Sequence, residues 1–422
     1  MQLTPDDKTH LLRAVEVIAT AGAEADLAAF PFMLISPKGS AILFYAHYYL
    51  ATEQEQWAAL ALQLLEASIA EAGNSLRATS LADGYAGLGW LMQHLVAIGF
   101  LEEADAADLA DIDLLIDQSL EADFEQGNCD LLYGLVGKGI YLLSRPLTAP
   151  IRRSLTRIVA MLAELAVPMA EQQLAWHNVL EEANAATGDI YTLGLPHGSA
   201  GILLLLAKIQ RLRVATGQTE RLLEQGSRWL CQQASPTAEP NVFAAHAGQA
   251  GFCRLAWCQG DLGIAYALGQ VQQVQPLPEI AALLPRLEQS IFGRTLATSG
   301  ISASPDFTQV DTTLCHGISG ALLLLDRIAA ASHLPAAPVQ QTLRQWLDLL
   351  LAQLQGARTA GRSATGVETE AWRNQRVGYE WVEDYGLLQG SFGVGLCLLE
   401  LAFPGRAGWD ALFMTEKRCA SE

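Results

Sequence analysis

Residues 317–328 read GISGALLLLDRI, a G-x-x-G followed by an apolar run, and this pattern recurs along the chain. Five further copies begin at Gly84, Gly134, Gly198, Gly260 and Gly390. A degenerate seventh copy begins at Gly39, with Ile42 in place of the second glycine. Successive copies lie 45 to 73 residues apart, which fits two helices and their connections. Such self-similarity indicates a repeat architecture.

Amphipathic stretches lie between the copies, with apolar residues every three or four positions. One stretch contains Ile151, Leu155, Ile158, Leu162 and Leu165; another contains Val339, Leu343, Trp346, Leu347, Leu350 and Leu354. This spacing predicts helices with one buried face, whereas the runs after G-x-x-G are apolar on most sides.

Inner buried helices that alternate with outer half-exposed ones describe a ring. The prediction is an all-α fold, an α/α toroid of about seven helical hairpins with the inner-helix starts at one end. Strands are only weakly indicated. A long loop is predicted from Gln355 to Tyr379, and residues 1–422 are predicted to form a single domain because no break in composition divides them.

Composition narrows the class of protein. Of 422 residues, 51% are apolar and 17% charged, which excludes a disordered chain. A formal net charge of −19 disfavours broad binding to nucleic acid. No apolar run has the length of a membrane span, and the first residues lack the pattern of a secretory signal. Seven cysteines without an export signal suggest a cytoplasmic protein.

Three metal-competent side chains precede two neighbouring inner helices. Cys258 lies two residues before Gly260, and Cys315 and His316 directly precede Gly317. Two thiolates and an imidazole suit Zn²⁺ and leave the fourth tetrahedral position open, as in catalytic zinc sites. The alternative is two buried cysteines and a hydrogen-bonded histidine. The matched placement in adjacent repeats favours zinc.

Polar residues before other glycines are candidates for acid–base chemistry. His197 directly precedes Gly198, Asp130 lies four residues before Gly134, and Arg254 lies one turn before Cys258 if that segment is helical. The alternatives are a loop hydrogen bond, a helix cap and a surface ion pair. Glycine at a helix start is also expected to expose backbone N–H groups and the positive end of the helix dipole.

These motifs resemble those of the lanthionine synthetase C-like family. The resemblance rests on WCxG at 257–260, CHG at 315–317, GLxHG at 194–198 and the repeated G-x-x-G. It is closest to stand-alone class I lanthipeptide cyclases. Two positions depart from the pattern: Gln259, where some cyclases have tyrosine, and Pro196, where a small residue is common.

The resemblance implies a zinc-dependent cyclase that adds peptide cysteine thiolates to dehydroalanine or dehydrobutyrine. By the family pattern, Cys258, Cys315 and His316 would bind zinc, and His197, Asp130 and Arg254 would be the catalytic residues. The implied substrate is a dehydrated precursor peptide. A lanthipeptide dehydratase and a peptide exporter are implied partners, with peripheral association to a membrane-bound complex.

Three alternatives remain open. On the same scaffold, this protein could instead add glutathione or another thiol to dehydrated residues. A non-catalytic helical scaffold could bind a modified peptide. Another α/α toroid enzyme, such as a glycosidase or a zinc prenyltransferase, is disfavoured by the position of WCxG and CHG before G-x-x-G.

Overall fold

The structure is a computed structural model that describes residues 1–106, 109–180, 190–237, 241–301, 310–359, 369–370, 381–382, 384–405 and 408–416. Its α-helices are α1 (Pro5–Glu24), α2 (Pro37–Thr52), α3 (Glu55–Ser75), α4 (Tyr85–Ala97), α5 (Leu109–Glu125), α6 (Leu135–Ser144), α7 (Ala149–Leu165), α8 (Ser199–Arg211), α9 (Thr216–Gln232), α10 (Asp261–Val274), α11 (Pro278–Phe292), α12 (Leu296–Ser299), α13 (Ile318–Ala329), α14 (Ala336–Thr359) and α15 (Ser391–Ala402). The strands are β1 (Val167–Ala170), β2 (Gln173–Ala175), β3 (Thr369–Glu370) and β4 (Trp381–Val382).

Seven of these helices form a closed inner ring. Helix α2 contacts α4, and the contacts continue through α6, α8, α10 and α13 to α15, which packs against α2 again. An outer helix covers each inner one: α3 on α2, α5 on α4, α7 on α6, α9 on α8, α11 on α10, α14 on α13 and α1 on α15. The prediction of an α/α toroid of seven helical hairpins is confirmed. Helix α1, which the sequence reasoning left out, is the outer partner of the last inner helix.

Burial follows the inner and outer positions. Every residue of α15 is buried, whereas α7 buries one stripe that includes Ile151, Leu155 and Ile158. The corresponding stripe of α14, from Val339 to Leu350, is also buried. The two predicted amphipathic helices are therefore confirmed. Although the inner helices are apolar, no helix within the described ranges combines the length and hydropathy needed to cross a membrane.

Glycine is the third residue of every inner helix, and the reason is a backbone contact. A Cβ on Gly87 would lie 2.2 Å from the carbonyl oxygen of Leu81, six residues earlier. The corresponding distances at the other six helices run from 1.7 to 2.4 Å, at Gly39, Gly137, Gly201, Gly263, Gly320 and Gly393. Real Cβ atoms do not approach an oxygen so closely, so each helix starts against its own preceding turn without a side chain in between.

This contact corrects the register of the degenerate repeat. Gly39 makes the contact of a second glycine, with the carbonyl oxygen of Met33. The first position belongs to Ser36, which is the N-cap of α2, as Gly84 is of α4. The prediction that Gly39 is the first glycine and Ile42 replaces the second was therefore wrong by three residues.

Backbone hydrogen bonds of 2.9–3.4 Å join neighbouring turns at five of the seven junctions around the ring. They run from the N–H groups of Ile35, Ala82, Leu131, Cys315 and Leu387 to the carbonyls of Ala82, Leu132, Pro196, Leu388 and Ile35, respectively. The starts of the inner helices therefore lie at one end of the toroid, as predicted.

The first amide of several inner helices is not open to a ligand. In α4, α6, α8, α13 and α15 this N–H donates to a carbonyl seven residues earlier, as from Ile318 to Asp311 at 2.8 Å. The expectation that these glycines expose backbone N–H groups is therefore wrong for the first amide of these five helices, because the folded-back turn already accepts that bond.

The short strands agree with a sequence in which strands are only weakly indicated: an antiparallel hairpin, β1–β2, lies between α7 and α8. One prediction on an irregular segment needs correction. Helix α14 extends to Thr359, so the loop predicted from Gln355 starts too early. In the rest of that predicted loop the structure describes only β3, which pairs with β4 beyond the end of the loop.

The glycine contact predicts a large difference between two Gly→Ala substitutions. Gly87→Ala should lower the free energy of unfolding by about 1–3 kcal/mol, because its Cβ would overlap a backbone oxygen. Gly269→Ala, inside α10 with no atom within 4 Å of the added Cβ, should raise it by roughly 0.5–1 kcal/mol. Urea unfolding of both variants measures the difference. Equal effects would contradict this explanation of the repeat.

Candidate active site

Cys258 and Cys315 occupy the same position in adjacent repeats, two residues before the N-cap glycines of α10 and α13. Their thiols interact with each other. The interaction with the Cys315 thiol lowers the pKa of the Cys258 thiol to about 7, against the effect of burial, and the nearby His316 and Arg254 side chains lower it further. The pKa of Cys315 is raised in turn, because its thiol holds the proton of the pair.

This lowered pKa sets Cys258 apart from the other described cysteines. Burial raises the pKa of Cys253 to about 11 and the pKa values of Cys129 and Cys231 to about 12, and that of Cys397 also rises. Buried thiols in apolar surroundings are inert, whereas a thiol beside positive charge and a hydrogen-bond donor is a nucleophile or a metal ligand. The structure therefore brings two predicted zinc ligands together and gives one of them thiolate character.

His316 is held by a carboxylate that the sequence reasoning missed. Its Nδ1 lies 2.6 Å from Oδ2 of Asp311, and Oδ1 of the same carboxylate accepts the Thr313 N–H at 2.8 Å. A Cβ on Gly317 would lie 2.5 Å from that Oδ1, so the glycine of the CHG motif makes room for this contact. Burial raises the pKa of Asp311, but the bonds from His316 and Thr313 outweigh it and leave the pKa below its usual value.

Arg254 reaches the cysteines from a loop. The segment before α10 is not helical, so the premise that Arg254 lies one helical turn before Cys258 was wrong. Its carbonyl oxygen would lie 2.6 Å from a Cβ on Gly260, which has a φ of +78°. The chain folds back tightly there, and the guanidinium charge acts on both Cys258 and Cys315.

A buried carboxylate in α10 fixes the loop that leads to Cys258. Asp261 accepts the N–H groups of Val242 and Phe243 at 2.7–3.0 Å and pairs with Arg294 at 3.2 Å. Arg294 also donates to the carbonyl of Cys253. These bonds satisfy backbone groups that the loop would otherwise bury unpaired, so they hold the chain on both sides of Arg254.

His197 and Asp130 form a second pair. Nδ1 of His197 lies 2.5 Å from Oδ2 of Asp130. Oδ1 of Asp130 accepts the N–H groups of Leu132 and Tyr133 at 2.7 and 2.9 Å. The carboxylate is fully buried, and the imidazole is 35% exposed. If Asp130 accepts the Nδ1–H, Nε2 is the acceptor nitrogen of the neutral ring.

The loop of His197 packs against both neighbouring loops. Its Pro196 carbonyl accepts the N–H of Leu131, next to Asp130, at 2.9 Å. On the other side, a Cβ on Gly194 would lie 2.1 Å from the carbonyl oxygen of Cys258. The His197–Asp130 pair and the cysteine pair therefore belong to adjoining turns at the same end of the ring.

The C-terminal segment supports the cysteine turn. Residues Trp409–Phe413 form a buried 3₁₀ turn, and the Phe413 ring packs edge-on against Trp257 at 4.9 Å between centroids. Arg327 in α13 pairs with Glu400 in α15 and with Asp410 of this segment. The WCxG tryptophan is thus packed against a segment that is itself held to two inner helices.

The donor set fits zinc by its chemistry. Cys258 and Cys315 supply two sulfur atoms in contact, and Nδ1 of His316 donates to a carboxylate, which leaves Nε2 as the free donor atom. Nevertheless, no three His, Cys, Asp or Glu side chains of the described residues already stand in a metal-binding arrangement. The fit therefore rests on the donors and their partners, and not on a preformed coordination geometry.

Comparison with known proteins agrees with this fold. Superposition on the solved structure of nisin cyclase gives a TM-score of 0.71 at 16% identity, over 96% of this chain and 97% of that chain. No curated protein sequence matches the chain. The profile of the family described as lanthionine synthetase C-like protein matches residues 38–414, which is most of the chain. This protein therefore belongs to the lanthionine synthetase C-like family.

Proposed function

We propose that this protein is a zinc-dependent lanthipeptide cyclase, which closes thioether rings in a dehydrated precursor peptide. The observation that carries the proposal is the contact between Cys258 and Cys315, where Cys258 is the described cysteine with a lowered pKa. The His197–Asp130 pair in the adjoining turn supplies an acid–base group beside it. Family membership and the likeness to nisin cyclase support the same reaction.

The proposed ligands are Cys258, Cys315 and His316. A zinc ion bound by them would supply the Lewis acidity that turns a substrate cysteine thiol into a thiolate near neutral pH. The remaining steps fall to the protein. His197 accepts the thiol proton at Nε2, since Asp130 holds its Nδ1–H and stabilises the imidazolium that forms. The positive charge of Arg254, which already acts on the cysteines, favours the developing anion.

The reaction needs no other reactant. The sulfur of the peptide cysteine forms a bond to the β-carbon of a dehydroalanine or dehydrobutyrine as the Cα=Cβ π bond breaks. The resulting enolate takes a proton at the α-carbon, which returns the proton lost by the thiol. All atoms of the substrate remain in the product, so ring closure leaves the peptide mass unchanged.

The proposed substrate defines the partners. Dehydrated residues must be made before they can react, so a lanthipeptide dehydratase acts upstream of this protein. By its resemblance to stand-alone class I cyclases, we propose that the protein works in the cytoplasm, in a complex with that dehydratase and a peptide exporter.

Zinc-loaded protein incubated with a dehydrated, cysteine-containing peptide should remove free thiols without changing the peptide mass. Addition of glutathione, the alternative reaction of this scaffold, would raise the mass, and a binding scaffold would leave the thiols free. Mass spectrometry after thiol alkylation separates the three outcomes.

The cysteine variants test the ligand assignment within the same assay. Cys258→Ala should lose both bound zinc and cyclisation, because it removes one of three proposed ligands. Cys231→Ala, on outer helix α9, should retain both, because burial raises the pKa of this thiol to about 12 and keeps it protonated at neutral pH. A Cys258→Ala protein with full zinc content and full activity would refute the assignment.

Asp130→Asn should lower the cyclisation rate by roughly 10²–10⁴-fold while zinc content stays at the wild-type level. The amide oxygen is needed by the Leu132 and Tyr133 N–H groups, so the NH₂ group faces Nδ1 of His197 and forces the proton onto Nε2. If Asp130 acts through His197, Asp130→Asn should cost nothing further in a His197→Ala background. An additive loss in the double variant would show an independent role.

A further inference from the structure

We propose that Asp311 is a positioning residue for the metal centre: it holds the proton of His316 on Nδ1, so that Nε2 carries the lone pair offered to zinc. The inference rests on the proposed zinc site. Its geometric basis is the contact of 2.6 Å between Nδ1 and Oδ2 of Asp311. A neutral imidazole has one donor and one acceptor nitrogen, and the partner of one decides the state of the other.

Both oxygens of Asp311 are required as acceptors. Oδ2 faces His316, and Oδ1 accepts the backbone N–H of Thr313 at 2.8 Å. A backbone amide is only a donor, so the atom that faces Thr313 must be an oxygen. An asparagine here would therefore turn its NH₂ group toward Nδ1. The imidazole would then accept at Nδ1 and carry its proton on Nε2, where it blocks metal binding.

The same turn occurs elsewhere in the chain without a histidine. Asn128 and Asp384 lie six residues before the N-cap glycines of α6 and α15, as Asp311 does before that of α13. The Oδ1 atom of each accepts the N–H two residues later, from Asp130 at 3.1 Å and from Gly386 at 2.6 Å. Because Asn128 makes this turn with an amide, Asp311→Asn is expected to preserve it.

Burial gives the carboxylate its control over the imidazole. The side chains of His316 and Asp311 are 10% and 5% exposed. Water therefore has little access to replace a lost partner of Nδ1. The Thr313 hydroxyl, 3.3 Å from Nδ1, can donate or accept and so favours neither tautomer. The ionised Asp311 carboxylate, in contrast, can only accept a hydrogen bond from Nδ1.

Two variants of Asp311 should therefore rank in opposite order for zinc affinity and for the free energy of unfolding. Asp311→Asn keeps the turn but enforces the wrong tautomer, so zinc affinity should fall about 10–100-fold, the usual loss for a group that orients a ligand. Asp311→Ala loses the acceptor for Thr313 and should be the less stable protein. It leaves either tautomer accessible, so it should bind zinc more tightly than Asp311→Asn.

The measurements are zinc competition against a chromophoric chelator, urea unfolding, and ¹⁵N NMR of the His316 ring in zinc-free protein. The matched control is Asp384→Asn, which should bind zinc like the wild type. An Asp311→Asn protein that retains wild-type zinc affinity and the Nδ1–H tautomer would overturn the inference. An Asp311→Ala protein with both lower zinc affinity and lower stability than Asp311→Asn would also overturn it, because that result indicates a purely structural role.

The NMR signal separates this inference from the proposed function. If zinc fails to bind the wild type, the proposed zinc site is wrong, and the inference about metal binding falls with it. If the wild type binds zinc and His316 carries its proton on Nε2, the zinc site stands and only the role of Asp311 is refuted.

Discussion

The turn that precedes each inner helix leaves no space for a side chain at the third helical residue. Seven glycines meet this constraint, each against the carbonyl oxygen six residues earlier. The turn folds back on its own helix, and backbone bonds join most turns to the next around the ring. Residues at corresponding positions of different repeats therefore converge at one end of the toroid, although they lie 48 residues or more apart in sequence.

The proposed chemistry depends on the histidine and carboxylate side chains that lie in these turns. The position before the N-cap glycine is histidine in two repeats, and both rings are held at Nδ1 by a buried carboxylate. Asp311 comes from the same turn as His316, whereas Asp130 comes from the turn before that of His197. One imidazole is 10% exposed beside the cysteines, and the other is 35% exposed. The same local geometry thus holds the proposed metal ligand in one repeat and the proposed acid–base group in another.

The ring and the candidate site residues could be predicted from the sequence because both predictions depend on local patterns. The repeat, the buried stripes and the WCxG and CHG motifs are visible along the chain. The register at Gly39 was missed because a serine replaces the N-cap glycine, and only the contact with Met33 shows which glycine remains. The packing of helix α1 on α15 and the contact of Asp311 with His316 are visible only in the folded structure, because no spacing along the sequence indicates them. The assignment of residues 1–422 to one domain stays a prediction.

Zinc K-edge X-ray absorption of the loaded protein tests the central claim most directly. The account predicts two sulfur scatterers at about 2.3 Å with nitrogen or oxygen donors at about 2.0–2.1 Å, and a third sulfur once a cysteine-containing dehydrated peptide is added. Replacement of both Cys258 and Cys315 should abolish the sulfur signal. A zinc site without sulfur, or one whose spectrum survives that double replacement, would contradict the account.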